Sequence, residues 1–328
     1  MEGDILRRSG LEHTSTFQAP HALRFFPVWS CENYPLELPE GHPFPNRKYP
    51  LLENLLKESG FSEHIRRCGT IDPHLLEHAH TRAYIESVLS FSLSPEETRR
   101  VGFPVGQSYL NRALASVEGT LCATKEILFN GSRLSGVLAG GTHHAFADHG
   151  EGYCTFNDVA VCARYALNHS VNRVMVVDLD AHQGNGTAAI FAHEPRVFTF
   201  SMHAEENYPR QKERSTLDIG LPSGVEDKHY LRLLKEHLPM ILDYFQPELV
   251  FFQSGVDVLA ADRFGRLGLS LYGLQQRDSF VFENLLARKI PCVITLGGGY
   301  QKDHSAVARA HAQTYLTAAQ KFHEHAPA

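Results

Sequence analysis

Five short apolar runs, rich in β-branched residues and each ending in glycine or polar residues, constrain this chain more than any other feature. They are SGVLAGG (135–141), RVMVVDLDAH (173–182), RVFTFSMH (196–203), ELVFFQSGVD (248–257) and PCVITLGGGY (291–300). Continuous apolar character, without polar alternation, suits strands buried on both faces of a parallel sheet. The stretches between them carry helical spacing: Leu110, Ala113, Leu114, Val117 and Leu121 recur at steps of three and four, as do Tyr230, Leu233, Leu234, Leu238, Ile241 and Leu242. Strand and helix in alternation predict an α/β fold, a single-domain open parallel sheet with helices on both faces. At 328 residues the chain has room for two domains, at about 150 residues each. No linker or low-complexity tract divides it, so one domain over residues 46–325 is expected. Residues 1–45 differ, because Pro20, Pro27, Pro35, Pro39, Pro43 and Pro45 interrupt ladders and helices. They punctuate a strand-like RFFPVW (24–29) and a loop, and predict an irregular N-terminal wrap.

Composition narrows the function classes. Lys and Arg number 31 against 37 Asp and Glu, a net charge of −6 with His neutral. A protein held to nucleic acid by phosphate contacts needs a dense basic surface, so direct nucleic-acid binding is not expected. No run approaches the ~18 apolar residues of a membrane span, and MEGDILRRSGLEHTSTF lacks the apolar core of a secretory signal. The expected address is cytoplasmic, or nuclear in a eukaryote. Six cysteines are scattered without a CxxC pair, whereas histidine occurs 20 times. Metal or proton chemistry here falls to imidazole and carboxylate.

The strand ends are where that chemistry collects. In open α/β sheets the ligand crevice lies outside the carboxyl ends of the strands, and GGTHHAF, DLDAHQGNG, SMH, SGVD and GGGY all fall there. Asp178, Asp180 and His182 alternate at the end of one run, so their side chains share a side. Helix capping is the plain reading of such a cluster; metal binding is the sharper one. Zinc in an enzyme usually takes three protein ligands and keeps one position open, and Asp257, at the end of a buried run, is the natural third beside Asp180 and His182. An ionised carboxylate there is costly without a cation or several donors. His143 and His144 follow two glycines that let the backbone approach a crowded pocket. A surface pair is the alternative, but two imidazoles of near-neutral pKa suit a site that must move protons. Tyr300 follows three glycines, either as an aromatic lid or as a phenol donating to an oxyanion.

GGTHHA, VVDLDAHQGNG, QSGVDVLAADRFGRLGLS and LGGGY, in this order and spacing, resemble the histone deacetylase family of the arginase/deacetylase superfamily, over roughly residues 40–320. LLEHAHTRAYIESVL and GEGYCTFNDVAV extend the match, and Gln183 with Asn185 resembles class IV enzymes and their bacterial relatives. The resemblance implies a deacetylase catalytic domain over 46–325, with one catalytic Zn2+ on Asp180, His182 and Asp257. It implies that Tyr300 polarises the amide carbonyl and that Asp178 orients His143. Gly152, Tyr153, Tyr208, Phe264 and Gly298 are then expected along an acyl-lysine tunnel, with Tyr153 where the family more often has Phe. A structural K+ near Asp178, Asp180, His182, Ser201 and Met202 is implied as well. Many relatives carry Asp where this chain has Asn185. An amide offers His144 an acceptor without full charge, so His144 is expected to stay neutral as the general base while His143 is the more readily protonated.

The function expected is therefore removal of acetyl or longer acyl groups from lysine side chains of a protein or peptide. Small acylated amines, such as acetylpolyamines, are the alternative substrates. A two-manganese ureohydrolase fits less well, because Gly184 stands where those enzymes place an acid after DAH and residue 255 is not acidic. An inactive acyl-lysine reader is expected to lack a ligand, a tandem histidine or the tyrosine, and none is missing. The net negative charge is compatible with a cationic lysine-bearing peptide.

Overall fold

Each of the five apolar runs forms a strand in the computed structural model, which describes residues 23–325, and three further strands join them. In chain order the strands are β1 (Val28–Ser30), β2 (Ile65–Arg67), β3 (Leu134–Val137), β4 (Val174–Asp178), β5 (Val197–Ala204), β6 (Leu217–Leu221), β7 (Leu249–Gln253) and β8 (Cys292–Thr295). They make one sheet in the order β2-β1-β3-β8-β7-β4-β5-β6, with every pairing parallel. The three additional strands lie toward its edges. β2 and β6 are mostly not buried, so neither shows the apolar run that marks a central strand. β1 lies inside the segment expected to be an irregular wrap, overlapping its strand-like RFFPVW. Pro27 immediately precedes it, where a missing N–H disturbs no ladder, and its carbonyl accepts from Gly136 N at 3.1 Å. The remainder of the segment, residues 31–45, is turn and irregular chain; residues 1–22, Pro20 among them, lie outside the described residues.

The helices are α1 (Lys48–Leu56), α2 (Pro73–Leu76), α3 (Arg82–Leu89), α4 (Pro95–Val101), α5 (Gln107–Asn130), α6 (Asp158–Leu167), α7 (Asn185–Phe191), α8 (Asp227–Phe245), α9 (Leu271–Ala287) and α10 (His304–Glu324). They cover both faces of the sheet. Successive residues of a strand point to opposite faces, and β4 divides accordingly. Met175 and Val177 pack with the side chains of α8, α9 and α10, whereas Val174 and Val176 pack with those of α3, α5 and α6. No described helix is long and apolar enough to cross a membrane.

Buried polar groups hold the strand ends in register. Arg277 on α9, fully buried, donates to the carbonyls of Leu179 at 3.0 Å and Gly255 at 2.7 Å and pairs with Asp278 at 2.7 Å. It thereby ties the chain leaving β4 to the chain leaving β7. Asp158, at the start of α6, accepts from Gly141 N at 3.0 Å and Thr142 N at 2.7 Å, fixing the loop after β3.

Candidate active site

The carboxyl ends of β3, β4, β7 and β8 bring together residues up to 157 positions apart in sequence, between His143 and Tyr300. Asp180, His182 and Asp257 are buried, and each offers one ligand atom within 4.8 Å of the others. His182 Nδ1 lies 3.1 Å from Asp180 Oδ1 and 2.9 Å from Asp257 Oδ2. Backbone N–H groups orient the carboxylates: His182 N and Gly298 N donate to the two oxygens of Asp180, at 2.9 and 2.6 Å, and Ala181 N donates to Asp257 Oδ1 at 2.9 Å. Burial, and then the charge of Asp180, push the Asp257 carboxyl up to about 7. Two carboxylates and an imidazole converging in a dry pocket suit a divalent cation, which would offset both the burial and the repulsion. Among the described residues this is the one cluster of this kind.

Behind this donor set stand two hydrogen-bonded pairs. His143 Nδ1 meets Asp178 Oδ2 at 2.7 Å, and His144 Nδ1 meets Asn185 Oδ1 at 2.7 Å. The two rings sit 4.1 Å apart between centroids, yet their environments differ. Burial opposes an imidazolium at His143, but the carboxylates of Asp178 and Asp180 outweigh it and hold the pKa at about 9. At His144 burial also disfavours the charged form, and the neighbouring His143 and His182 add to it, so its pKa falls well below the ordinary value. Glu151, which sequence reasoning passed over, completes the second pair by accepting from Asn185 Nδ2 at 2.6 Å. A carboxylate accepts only, so it turns the amide oxygen toward His144. His144 must then carry its proton on Nδ1, which leaves the Nε2 lone pair free.

A cavity of about 390 Å3 opens onto these groups and is lined by His144, Gly152, Tyr153, His182, Tyr208, Phe264 and Tyr300, among others. Tyr208 stands edge-on to His144, with ring centroids 4.9 Å apart. The Phe264 and Tyr300 rings lie 5.2 Å apart between centroids, tilted by 51°. Gly152 and Tyr153 both have left-handed backbones, φ +57° and +65°, a conformation that glycine adopts freely and tyrosine does not. Hydrogen bonds from their N–H groups to Arg100 O (3.1 Å) and Val101 O (2.8 Å) hold the turn against the end of α4. Gly298, expected along the tunnel, does not line the cavity. Its N–H serves Asp180, and a Cβ there would collide with the Asp257 carboxylate. His143 is also absent from the lining. Of the residues expected near a potassium ion, Ser201 lies opposite Asp178 in the β4–β5 register, with Met202 next along β5.

Tyr300 is placed by Asp262, whose carboxylate accepts from Tyr300 N at 2.6 Å and from Phe264 N at 2.8 Å. Burial, and then the charges of Asp180 and Asp257, push the phenol well above its ordinary range, so it is a donor at neutral pH. Lys48 lies buried beside it, with Nζ 5.7 Å from the Tyr300 ring centroid and 3.3 Å from Gly297 O. Neither Asp262 nor Lys48 carries a local pattern that marks it; each matters through a partner far along the chain.

An eight-stranded parallel sheet with a buried Asp-His-Asp donor set at its strand ends defines an α/β protein of the arginase/deacetylase fold with a candidate metal centre. The chain belongs to the histone deacetylase family: the family described as Histone deacetylase domain matches residues 42–317. An uncharacterized protein of Picosynechococcus is 41% identical over 288 residues, 87% of this chain and 95% of that protein. Histone deacetylase 2 of Arabidopsis thaliana is 32% identical over 278 residues, 81% of this chain and 71% of that protein. The acetoin utilization protein AcuC of Staphylococcus aureus is 26% identical over 321 residues, 90% of this chain and 82% of that protein. The crystal structure of the HDA15 HD domain shares the fold, with a TM-score of 0.75 at 22% identity, covering 90% of this chain and 89% of that one.

Proposed function

We propose that the protein is a zinc-dependent lysine deacylase, hydrolysing the amide between an acyl group and a lysine side chain. The observation that carries this reading is that one cavity is lined by His182 of the Asp180–His182–Asp257 donor set, by His144 with Asn185 and Glu151 behind it, and by Tyr300. Asp180, His182 and Asp257 would hold a Zn2+ ion, which would supply Lewis-acid polarisation of the amide carbonyl and a lowered pKa for water. His144 Nε2 takes the proton from the attacking water, since its other nitrogen is committed to Asn185. The Tyr300 hydroxyl donates to the oxygen on which negative charge develops. His144 then returns the proton to the leaving lysine nitrogen, because it lines the cavity and His143 does not. His143, charged and clamped by Asp178, keeps its neighbour neutral by repulsion. One donor set of three favours this reading over a two-metal ureohydrolase.

Metal content measured after purification, and hydrolysis of acetyl-, octanoyl- and myristoyl-lysine peptides, test the proposal together. About one zinc per chain is expected, with turnover abolished by chelation and restored by zinc. Asp257→Asn should lower the bound metal. No hydrolysis at any acyl length by metal-loaded protein would overturn it.

A further inference from the structure

We propose that the rim of the cavity is a subsite for a carboxylate borne by the substrate next to its acyl-lysine. The inference rests on the deacylase reading and names the substrate class that the same site selects. The outer lining of the cavity holds four exposed arginines, Arg99, Arg100, Arg263 and Arg266, and no Asp or Glu. This occurs in a chain whose net charge is −6. Arg99 and Arg100 end α4, and a helix C-terminus by itself favours cations. That account does not extend to Arg263 and Arg266, which lie on the loop after β7. Among the described residues only Arg100 of the four forms an ion pair, with Glu96 at 3.5 Å.

The loop arginines are anchored without being neutralised. Arg263 donates through Nε to Tyr300 O at 2.6 Å and through Nη2 to Pro43 O at 3.0 Å, and Arg266 donates to Glu206 O at 3.1 Å. Carbonyl partners fix each guanidinium but leave its charge to act on whatever approaches. An acylated lysine is an uncharged amide, so the side chain that enters gives the rim nothing to repel. What faces the arginines is the rest of the substrate. Positive charge lining a cleft with low-dielectric walls concentrates anions and repels cations. The distal ammonium groups of an acylpolyamine, or lysines flanking the modified residue, would meet four guanidinium groups. A flanking Asp or Glu, or the α-carboxylate of free Nε-acyl-lysine, would meet planar donors matched to its geometry. This reverses the expectation, drawn from net charge, of a cationic peptide.

The test holds one acyl group constant and changes its carrier: peptides with Glu, Gln or Lys on both sides of the acyl-lysine, and free Nε-acyl-lysine beside its amide. For the metal-loaded enzyme, kcat/KM should be at least about tenfold higher for the Glu peptide than for the Lys peptide at low salt. The gap should narrow sharply in 0.5 M salt. Arg99→Glu combined with Arg266→Glu should invert the order. Preference for free acyl-lysine over its amide, with no effect of flanking Glu, assigns the rim to an amino-acid-sized substrate; the opposite assigns it to acidic peptides, and both outcomes support the subsite. Anisotropy of the same peptides, fluorescently labelled and bound to the Tyr300→Phe variant, reads the order without turnover. Equal or Lys-favoring affinity and rates would overturn the proposal. A Glu preference in binding with no turnover of any carrier would instead remove the deacylase reading and leave the anion-selective rim standing.

Discussion

Replacing Asn185 by Asp probes the relay behind His144, and the structure makes its outcome depend on Glu151. The amide is 2.7 Å from His144 Nδ1 on one side and 2.6 Å from Glu151 Oε1 on the other. An aspartate there turns the second contact into two carboxylates at hydrogen-bond distance. Their repulsion at an effective dielectric of 20 is about 6 kcal/mol, enough that the pair shares a proton. The single substitution therefore gives His144 little new charge. Removing the competing carboxylate in Asn185→Asp/Glu151→Gln leaves one anion against the imidazole. An opposite charge at this range raises a histidine pKa by about 1–3 units, about 1.4–4 kcal/mol. In its proposed role as general base His144 works only in its neutral form, so a raised pKa moves the acidic limb of kcat/KM to higher pH by the same amount. Profiles from pH 5 to 10 for wild type, single and double variants would show it. An unmoved limb in the double variant, or a single variant that shifts as far as the double, refutes the reasoning.

Tyr300→Phe removes the proposed oxyanion donor without emptying the pocket, so kcat should fall by about 10²–10³-fold while KM changes little; near wild-type kcat would count against its role. Arg277→Met strands the fully buried Asp278 carboxylate and three carbonyls, and should cost about 3–5 kcal/mol in urea denaturation. The double change Arg277→Met/Asp278→Leu should recover part of that loss, and a cost for the single variant below about 1 kcal/mol would contradict the account. Glu53, whose burial opposes ionisation, is held at about 2 by hydrogen bonds from Arg67, Lys57 and Ser30. Because its folded pKa is depressed, its contribution to stability is complete above the ordinary 4.5 and fades as pH falls toward 2. Thermal melts of Glu53→Gln should therefore depend less on pH across that window than those of wild type, and parallel curves would exclude the assignment.

Those parts of the protein governed by local periodicity are legible in its sequence. The five central strands follow from their apolar runs because a strand buried on both faces is apolar at successive positions rather than at alternate ones. The donor residues follow from where those runs end, since a parallel sheet gathers its carboxyl ends on one side. β2 and β6 escape this reasoning, being largely unburied edge elements with no continuous run, whereas β1 shows only as the short strand-like RFFPVW. Gly298 escapes it in another way: its place in GGGY is visible, but whether its backbone faces the cavity or Asp180 depends on how the loop after β8 closes over β4.

Tertiary structure alone decided the groups that act through distant partners. Glu151 acquires meaning only where α7 brings Asn185 beside it, Asp262 only where the chain after β8 places Tyr300 N against it, and Arg277 only between the ends of β4 and β7. The charge at the cavity rim belongs to the same kind. A sum over the whole chain is negative, whereas a substrate meets the few side chains nearest the cavity, because the field of each charge is screened over about 8 Å in physiological salt. Sequence order thus determined which chemistry is present, and folding determined which charges that chemistry faces.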